Sequence, residues 1–209
     1  MTPQSDQPPR RFAIGSYRGI ALDVAAWDAV GADVDLSCAC MFAHEVGPSI
    51  SGGLLHLDTA LSGALLRLRA EGVFRGDEME TMLLSTLPTT IRGRALMIIG
   101  LGDPKAWRSD LMENATRYAV NEAMRQGTSS AGFAPGLLDS GLQPTVTSKA
   151  GDAMLRGVIR AIDTHHRLFE RGLAALPTLR RWTFGAGASH AEAASEQFRR
   201  ALASTTLQA

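Results

Sequence analysis

The sequence predicts an α/β fold with a mixed central sheet and helices on both faces. Short β-like runs alternate with helical patterns along the chain. One apolar run, "ALMIIG", leads directly into a glycine turn and a helix start. With 209 residues, 45% of them hydrophobic, the chain can bury a sizeable core. We expect one domain over residues 19–209, preceded by a flexible segment over residues 1–18.

The first half of the chain alternates strand and helix patterns. Gly19–Trp27 and Asp33–Phe42 are β-like runs separated by a short turn signal, which predicts two adjacent strands. One helix ending near Gly72 is predicted next, because leucines recur at spacings of three and four. These are Leu54, Leu57, Leu61, Leu65 and Leu68. Glu80–Leu87 and Arg94–Gly100 predict two further strands.

The next helix is predicted to follow Asp103 as cap and Pro104 as first residue. Its buried stripe comprises Trp107, Leu111, Ala115, Tyr118 and Ala119, and Gly127 ends it. Ser129–Pro135 predicts a short strand, and a loop rich in glycine, proline and serine extends to about Ser148.

The last third predicts a long helix, a strand and a final helix. The inner face of the long helix is marked by Leu155, Val158, Ile162 and Phe169, and Pro177 closes it off. Arg180–Phe184 predicts a strand. Ser189–Glu192 fits a capping box at the start of the final helix, whose inward residues are Ala194, Phe198 and Leu202.

Charge and cysteine content restrict the classes of function. Lys+Arg and Asp+Glu both number 21, so no global field favours nucleic acid or an anionic membrane. Cys38 and Cys40 would point to the same face of a strand, which favours two reduced core thiols. Residues 1–11 have no apolar signal region, and no stretch approaches the ~20 apolar residues of a membrane span. We expect a cytoplasmic protein.

The glycine loop after "ALMIIG" is the first candidate ligand site. Gly100 and Gly102 fit G-x-G, but Lys105 stands where the third glycine of a dinucleotide fingerprint would be. A helix start can still receive an anion through its free amides, although Asp103 at the cap would compete for them. We therefore favour a tight turn and keep these residues, with Gly52 and Gly53, as ligand-binding candidates.

A second candidate is a basic stripe on the long helix. Arg156, Arg160, Arg167 and Arg171 are spaced four, seven and four apart and could track phosphates of a nucleic acid. Asp163 and other acidic residues interrupt the stripe, so a solvated charged face is the favoured interpretation.

Metal and nucleophile patterns are weak. His166 and Glu170 would share a helix face, with His165 beside them, but two ligands do not make a metal site. No G-x-S-x-G elbow is present. We expect neither a metal nor a cofactor.

The order of pieces resembles the N-terminal domain of the leucine aminopeptidases, the cytosol aminopeptidase family. The features are the "LD-x-x-L-x-G-x-L" pattern at Leu57–Leu65, the Phe74–Gly76 turn before a strand, and the strand ending in Gly-Leu-Gly. "NATRYAVNEAMRQG" and "AMLRGVIRAIDTHHRLF" follow in the family's order, so the resemblance extends from about Gly19 to Ala203.

The resemblance implies a macro-domain-like three-layer sandwich of the kind that precedes the catalytic domain in those enzymes. The family's metal and bicarbonate motifs, "G-K-G-x-T-F-D-S-G-G" and "N-T-D-A-E-G-R", are absent, and "LLDSGL" at Leu137–Leu142 echoes the first only by coincidence. Since a two-metal hydrolase needs several converging ligands, this chain is not expected to be a peptidase. No catalytic residue carries over.

Three functions remain open. The favoured one is a non-catalytic interaction or regulatory module that associates with itself or with a full-length aminopeptidase. The second is a macro-like module that binds or hydrolyses a nucleotide or ADP-ribose-type ligand. The third is nucleic-acid binding, which the arginine stripe and, through the family resemblance, the DNA binding attributed to some bacterial members suggest. The balanced charge disfavours it.

Overall fold

The computed structural model describes residues 10–45, 49–137 and 140–206. Within these ranges, seven strands form one sheet in the order β1-β2-β7-β6-β3-β5-β4. The strands are β1 (Arg11–Tyr17), β2 (Ile20–Ala25), β3 (Leu36–Met41), β4 (Thr81–Leu84), β5 (Ala95–Gly100), β6 (Ser130–Ala134) and β7 (Arg181–Gly185). The five central strands are parallel, while β1 and β4 pair antiparallel at the two edges. The predicted mixed sheet is therefore confirmed.

Helices pack on both faces of this sheet, as predicted. They are α1 (Gly52–Ala60), α2 (Ala64–Ala70), α3 (Asp110–Arg125), α4 (Pro144–Thr147), α5 (Ala150–Glu170) and α6 (Gly187–Thr206). Buried residues of α3, α5 and α6 share one core with one face of the sheet, and α1 and α2 share a second core with the other face. No helix in the described ranges is long and apolar enough to cross a membrane.

The alternation along β3 shows how the two cores form. Cys38 and Cys40 belong to the core beneath α3 and α5, whereas Ala39 and Met41 belong to the core beneath α1 and α2. Both cysteines are free and buried, and burial raises the pKa of each thiol well above its ordinary value. The prediction of two core thiols on one face is confirmed.

Two expectations about the N-terminal strands are wrong. Residues 11–17 form β1, although residues 1–18 were expected to be flexible; β1 is an edge strand in which most residues are exposed, so it lacks the pattern of a buried strand. Moreover, β2 and β3 are not neighbours, because β7 and β6 lie between them. Residues 1–9 of the expected segment lie outside the described residues.

The predicted leucine helix is in fact two helices. Gly63 has a left-handed φ of +77°, and its amide donates to the Asp58 carbonyl at the end of α1. The chain therefore turns between α1 and α2. Leu65 is buried on the second helix, but Leu61 lies between the helices and is only partly buried.

The starts of two helices and the burial of two residues also differ from the prediction. Asp103 caps only a short 3₁₀ turn, Pro104–Ala106, and α3 begins later at Asp110. Helix α6 begins at Gly187, so Ser189 lies inside it and cannot be its cap. Two residues assigned to buried stripes are exposed, Tyr118 at 43% and Phe169 at 39%.

Candidate functional site

A cavity of about 1250 Å³ lies at the carboxyl ends of the parallel strands, and we refer to it as the cleft. Its wall includes Asp28 after β2, Phe42 after β3, Pro135 after β6 and Ala186 after β7. Open α/β sheets place ligands in the crevice at the carboxyl ends of their strands. The position of the cleft is therefore that of a small-molecule site.

Three helices begin at the wall of the cleft. Gly52 and Gly53 of α1, Ala150 and Gly151 of α5, and Gly187 of α6 all line it. The N-cap residues of α1 and α5 make no side-chain capping hydrogen bond, and Ala186 before α6 has no polar side chain. Because the first amides of a helix lack intrahelical partners and carry the positive end of its dipole, this wall favours an anion.

A histidine and a carboxylate pair across the mouth of the cleft. Nδ1 of His56, on α1, lies 2.5 Å from Asp28 Oδ2. The other carboxylate oxygen of Asp28 accepts from the amides of Val30 (3.1 Å) and Gly31 (3.0 Å), which fixes the side chain. The pair consequently ties α1 to the loop after β2.

A second ion pair lies on the rim, between Glu45 and Arg69. Burial alone would raise the pKa of the Glu45 carboxyl, but the hydrogen bond from Arg69, a backbone hydrogen bond and the nearby positive charge together outweigh burial, so the pKa lies below its ordinary value. Both carboxylates identified in the wall, Asp28 and Glu45, thus have a nitrogen-bearing side chain as partner, His56 for the first and Arg69 for the second.

Aromatic side chains form an apolar wall. Phe184 at the end of β7 stacks on Phe198 of α6, with ring centroids 4.2 Å apart and an interplanar angle of 11°. Trp27 also lines the cleft and is 95% buried, and its indole N–H has no hydrogen-bond partner in the described structure. Flat apolar surfaces of this kind suit the face of an aromatic ring.

The Gly100–Gly102 loop is a turn whose amides are already used. The amides of Gly100, Leu101 and Gly102 donate to the carbonyls of Glu80, Met41 and Gly76. A Cβ on Gly100 would lie 2.0 Å from the Asp77 carbonyl oxygen, and Gly102 has a φ of +72°. Only close packing of the backbone is needed to explain these glycines.

Of the ligand-binding candidates from the sequence, Gly52 and Gly53 line the cleft, whereas Gly100, Gly102 and Asp103 do not. Asp103 is occupied differently: its Oδ1 accepts from the Lys105 amide at 2.8 Å and lies 3.5 Å from His44 Nε2. Of the two glycine pairs proposed from the sequence as ligand-binding residues, only Gly52 and Gly53 therefore lie at the cleft.

The arginine stripe is divided. Arg156 and Arg160 both pair with Glu113 of α3, a side chain only 12% exposed, and so lock α5 onto α3. Arg171 instead donates to the Arg167 carbonyl at the far end of the helix. The four guanidiniums do not form one free surface.

His165, His166 and Glu170 on α5 do not form a metal site in the described structure. His165 Nε2 lies 3.1 Å from the Ala175 carbonyl oxygen, consistent with a structural contact. No group of three or more potential metal-ligating residues occurs among the described residues.

Sequence reasoning missed Trp27, Asp28, His56 and Gly187 as residues of the cleft. They come from separate segments that only the parallel strand order brings together. The sequence did contain one signal for this part of the cleft. Gly185-Ala-Gly-Ala directly follows the predicted strand Arg180–Phe184, and such small residues leave room for a ligand at the start of the next helix.

The architecture is that of the macrodomains. A mutant macrodomain of Oceanobacillus iheyensis superposes with a TM-score of 0.67 at 11% identity, covering 96% of this chain and 97% of that one. The Trypanosoma brucei macrodomain in complex with ADP-ribose gives 0.56 at 19% identity, covering 86% and 68%. These likenesses establish a macro-like α/β fold.

Within that class, the chain belongs to the cytosol aminopeptidase family, N-terminal domain, whose profile matches residues 43–161. A mutant leucine aminopeptidase of tomato superposes with a TM-score of 0.60 at 17% identity, covering 94% of this chain but 37% of the tomato chain. No curated protein matches the sequence. The resemblance deduced from the motifs is confirmed.

Proposed function

We propose that this chain is a binding module that holds a nucleoside diphosphate or ADP-ribose-type ligand in the cleft. The observation that carries the proposal is the convergence of three helix starts, those of α1, α5 and α6, on one cavity. Such a wall provides amide donors and positive dipole ends for a diphosphate. The structures of an Oceanobacillus iheyensis macrodomain with ADP and of the Trypanosoma brucei macrodomain with ADP-ribose support the choice of ligand class.

The rest of the cleft suits the nucleoside. Phe184 and Phe198 contribute to an apolar lining against which a base can pack, and Asp28 adds a fixed carboxylate to the same wall. Polar groups beside apolar walls are what orient small ligands in protein sites. We propose binding without peptide hydrolysis, because the peptidase metal motifs are absent from the sequence.

Gly187→Asp tests this proposal. A Cβ at Gly187 meets nothing within 4 Å, and a carboxylate in the first turn of a helix is favourable, so the variant should fold with an unchanged or slightly higher Tm. The new charge would face the phosphates. We expect the affinity for ADP and ADP-ribose, measured by titration calorimetry, to fall about tenfold or more.

Ser109→Asp is the matched control. It adds the same charge at the start of α3, which does not line the cleft, and should leave both affinities unchanged. The proposal fails if the wild-type chain binds neither ligand, or if the two aspartate variants behave alike.

An interaction role is a second candidate, favoured by an exposed apolar cluster in the last turn of α5 and the segment that follows it. Its members are Leu168, Phe169, Leu173 and Leu176, which are 39–71% exposed. Contiguous exposed apolar side chains often mark protein contacts. Such a surface suits self-association or contact with a full-length aminopeptidase, and it lies away from the cleft residues, so the two roles are compatible.

A further inference from the structure

We infer that the end of the cleft beside Arg92 is a second anion subsite. The ligand would then be a nucleotide with one phosphate at the helix starts and a further phosphate on the nucleoside sugar. This inference rests on the proposed function and specifies the ligand class for the same cleft.

The cleft follows α1 from its first turn to its last. A Cβ on Gly53 would lie 3.7 Å from Asp28 Cβ, His56 one turn later pairs with Asp28, and the carbonyl of Ala60 accepts from Thr90 Oγ1 at 3.2 Å. Gly53, His56, Ala60 and Thr90 all line the same cavity. At about 1.5 Å per residue, the two ends of this helix lie roughly 12 Å apart.

Arg92 supplies the charge at the far end. Its backbone amide donates to the Val30 carbonyl at 3.0 Å, which holds the residue against the loop that carries Asp28. Its exposed guanidinium has no hydrogen bond or ion pair with any described residue. By contrast, Arg69 elsewhere in the wall is committed to Glu45. A free guanidinium fork matches the geometry of a phosphate.

The volume of the cleft agrees with a longer ligand. Sites for one small molecule usually have volumes of about 300–1000 Å³, and this cavity is larger, at about 1250 Å³. The additional space includes the region walled by Gly31, Thr90 and Arg92. A ligand with charge at only one end would leave this basic end without a partner.

Titration calorimetry with AMP, adenosine 2′,5′-bisphosphate and adenosine 3′,5′-bisphosphate tests the inference. For the wild-type chain we expect at least one bisphosphate to bind about tenfold more tightly than AMP. Arg92→Gln should abolish that preference while leaving the AMP affinity within about twofold. Neutral glutamine at this exposed position should not change the fold.

Arg94→Gln is the control, because Arg94 is 85% exposed and pairs with Asp35 outside the cleft; it should keep the bisphosphate preference. The inference is overturned if neither bisphosphate binds more tightly than AMP, or if Arg92→Gln retains the preference. Binding of ADP-ribose without a bisphosphate preference contradicts the second subsite alone. Failure of ADP, ADP-ribose and AMP to bind contradicts the proposed function as well.

Discussion

Asp35 joins the start of β3 to the start of β6, at the end of the sheet opposite the cleft. Its Oδ2 accepts from the amides and hydroxyls of Ser129 and Ser130, over 2.7–3.1 Å. Burial would raise the pKa of this carboxyl, but the four hydrogen bonds outweigh burial, so the pKa lies below its ordinary value of 3.8. The ionised form is therefore favoured by folding.

Asp35→Asn should lower the free energy of unfolding by about 1–3 kcal/mol at pH 7, because an amide cannot replace the charged acceptor of four donors. Since the folded pKa is depressed, the stabilisation is present above pH ~4 and disappears as the pH falls through the folded pKa. Urea melts at pH 7 and at about pH 2 measure this difference. Asp33→Asn, an exposed neighbour, is the control and should change little. Equal loss of stability at both pH values would contradict the explanation.

Single residues of the site were only partly predictable. The sequence identified Gly52 and Gly53, because a glycine pair before a helix is a local pattern. It could not show that the amides of Gly100–Gly102 are taken by Gly76, Glu80 and Met41, since that depends on segments remote in sequence. Nor could it bring His56 to Asp28, because that contact requires the folded cleft.

Among the elements, α1 and α2 cover one face of the sheet and share the smaller of its two main cores. Leu57 of α1 and Leu65 of α2 are fully buried against β3 and β5. Leu61 lies between the helices, where the turn at Gly63 takes it away from the sheet. Leu61 and Leu65, which the sequence placed on the same face of one helix, thus have different surroundings.

Leu65→Ala should lower the free energy of unfolding by about 2–5 kcal/mol, because it leaves a cavity in this core. Leu61→Ala should cost less, about 1–2 kcal/mol, because part of its side chain is already in water. Chemical denaturation of both variants provides the comparison. Leu55→Ala, at a side chain 47% exposed on α1, should change stability by only about 0.5 kcal/mol. A larger loss for Leu61 than for Leu65 would contradict the two-helix arrangement.

Apolar periodicity predicted where most elements lie, since β2, β3, β5, β6, β7, α3 and α5 all fall within or close to the expected segments. It did not predict sheet order. The insertion of β7 and β6 between β2 and β3 depends on parallel pairing of distant segments, for which the sequence carries no local signal. Edge strand β1 was missed because one of its faces is not covered by apolar packing.

The whole molecule has the fold of an aminopeptidase N-terminal domain and contains none of the peptidase motifs. We therefore expect no hydrolysis of leucine p-nitroanilide by the purified chain with Mn²⁺ or Zn²⁺ added, because a two-metal site needs several converging ligands and the described residues contain no group of three or more potential metal-ligating side chains. Release of p-nitroaniline measures the activity. The Asp28→Asn and His56→Ala variants serve as a check: turnover that copurifies with the chain and is lost in either variant would contradict this expectation.

The position of β7 in the sheet also determines the order in which the strands can associate while the polypeptide is being synthesised. Ala21 pairs with Arg181, so within the described sheet the hairpin β1-β2 joins the other strands through β7, which is remote from it in sequence. During synthesis, β3, β5 and β6 can associate while β2 still lacks its parallel neighbour. Because long-range pairing is slow, the last step should be the docking of Arg181–Gly185 after it leaves the ribosome. The same step brings Phe184 and Gly187 into place, so the cleft is completed only when the sheet closes.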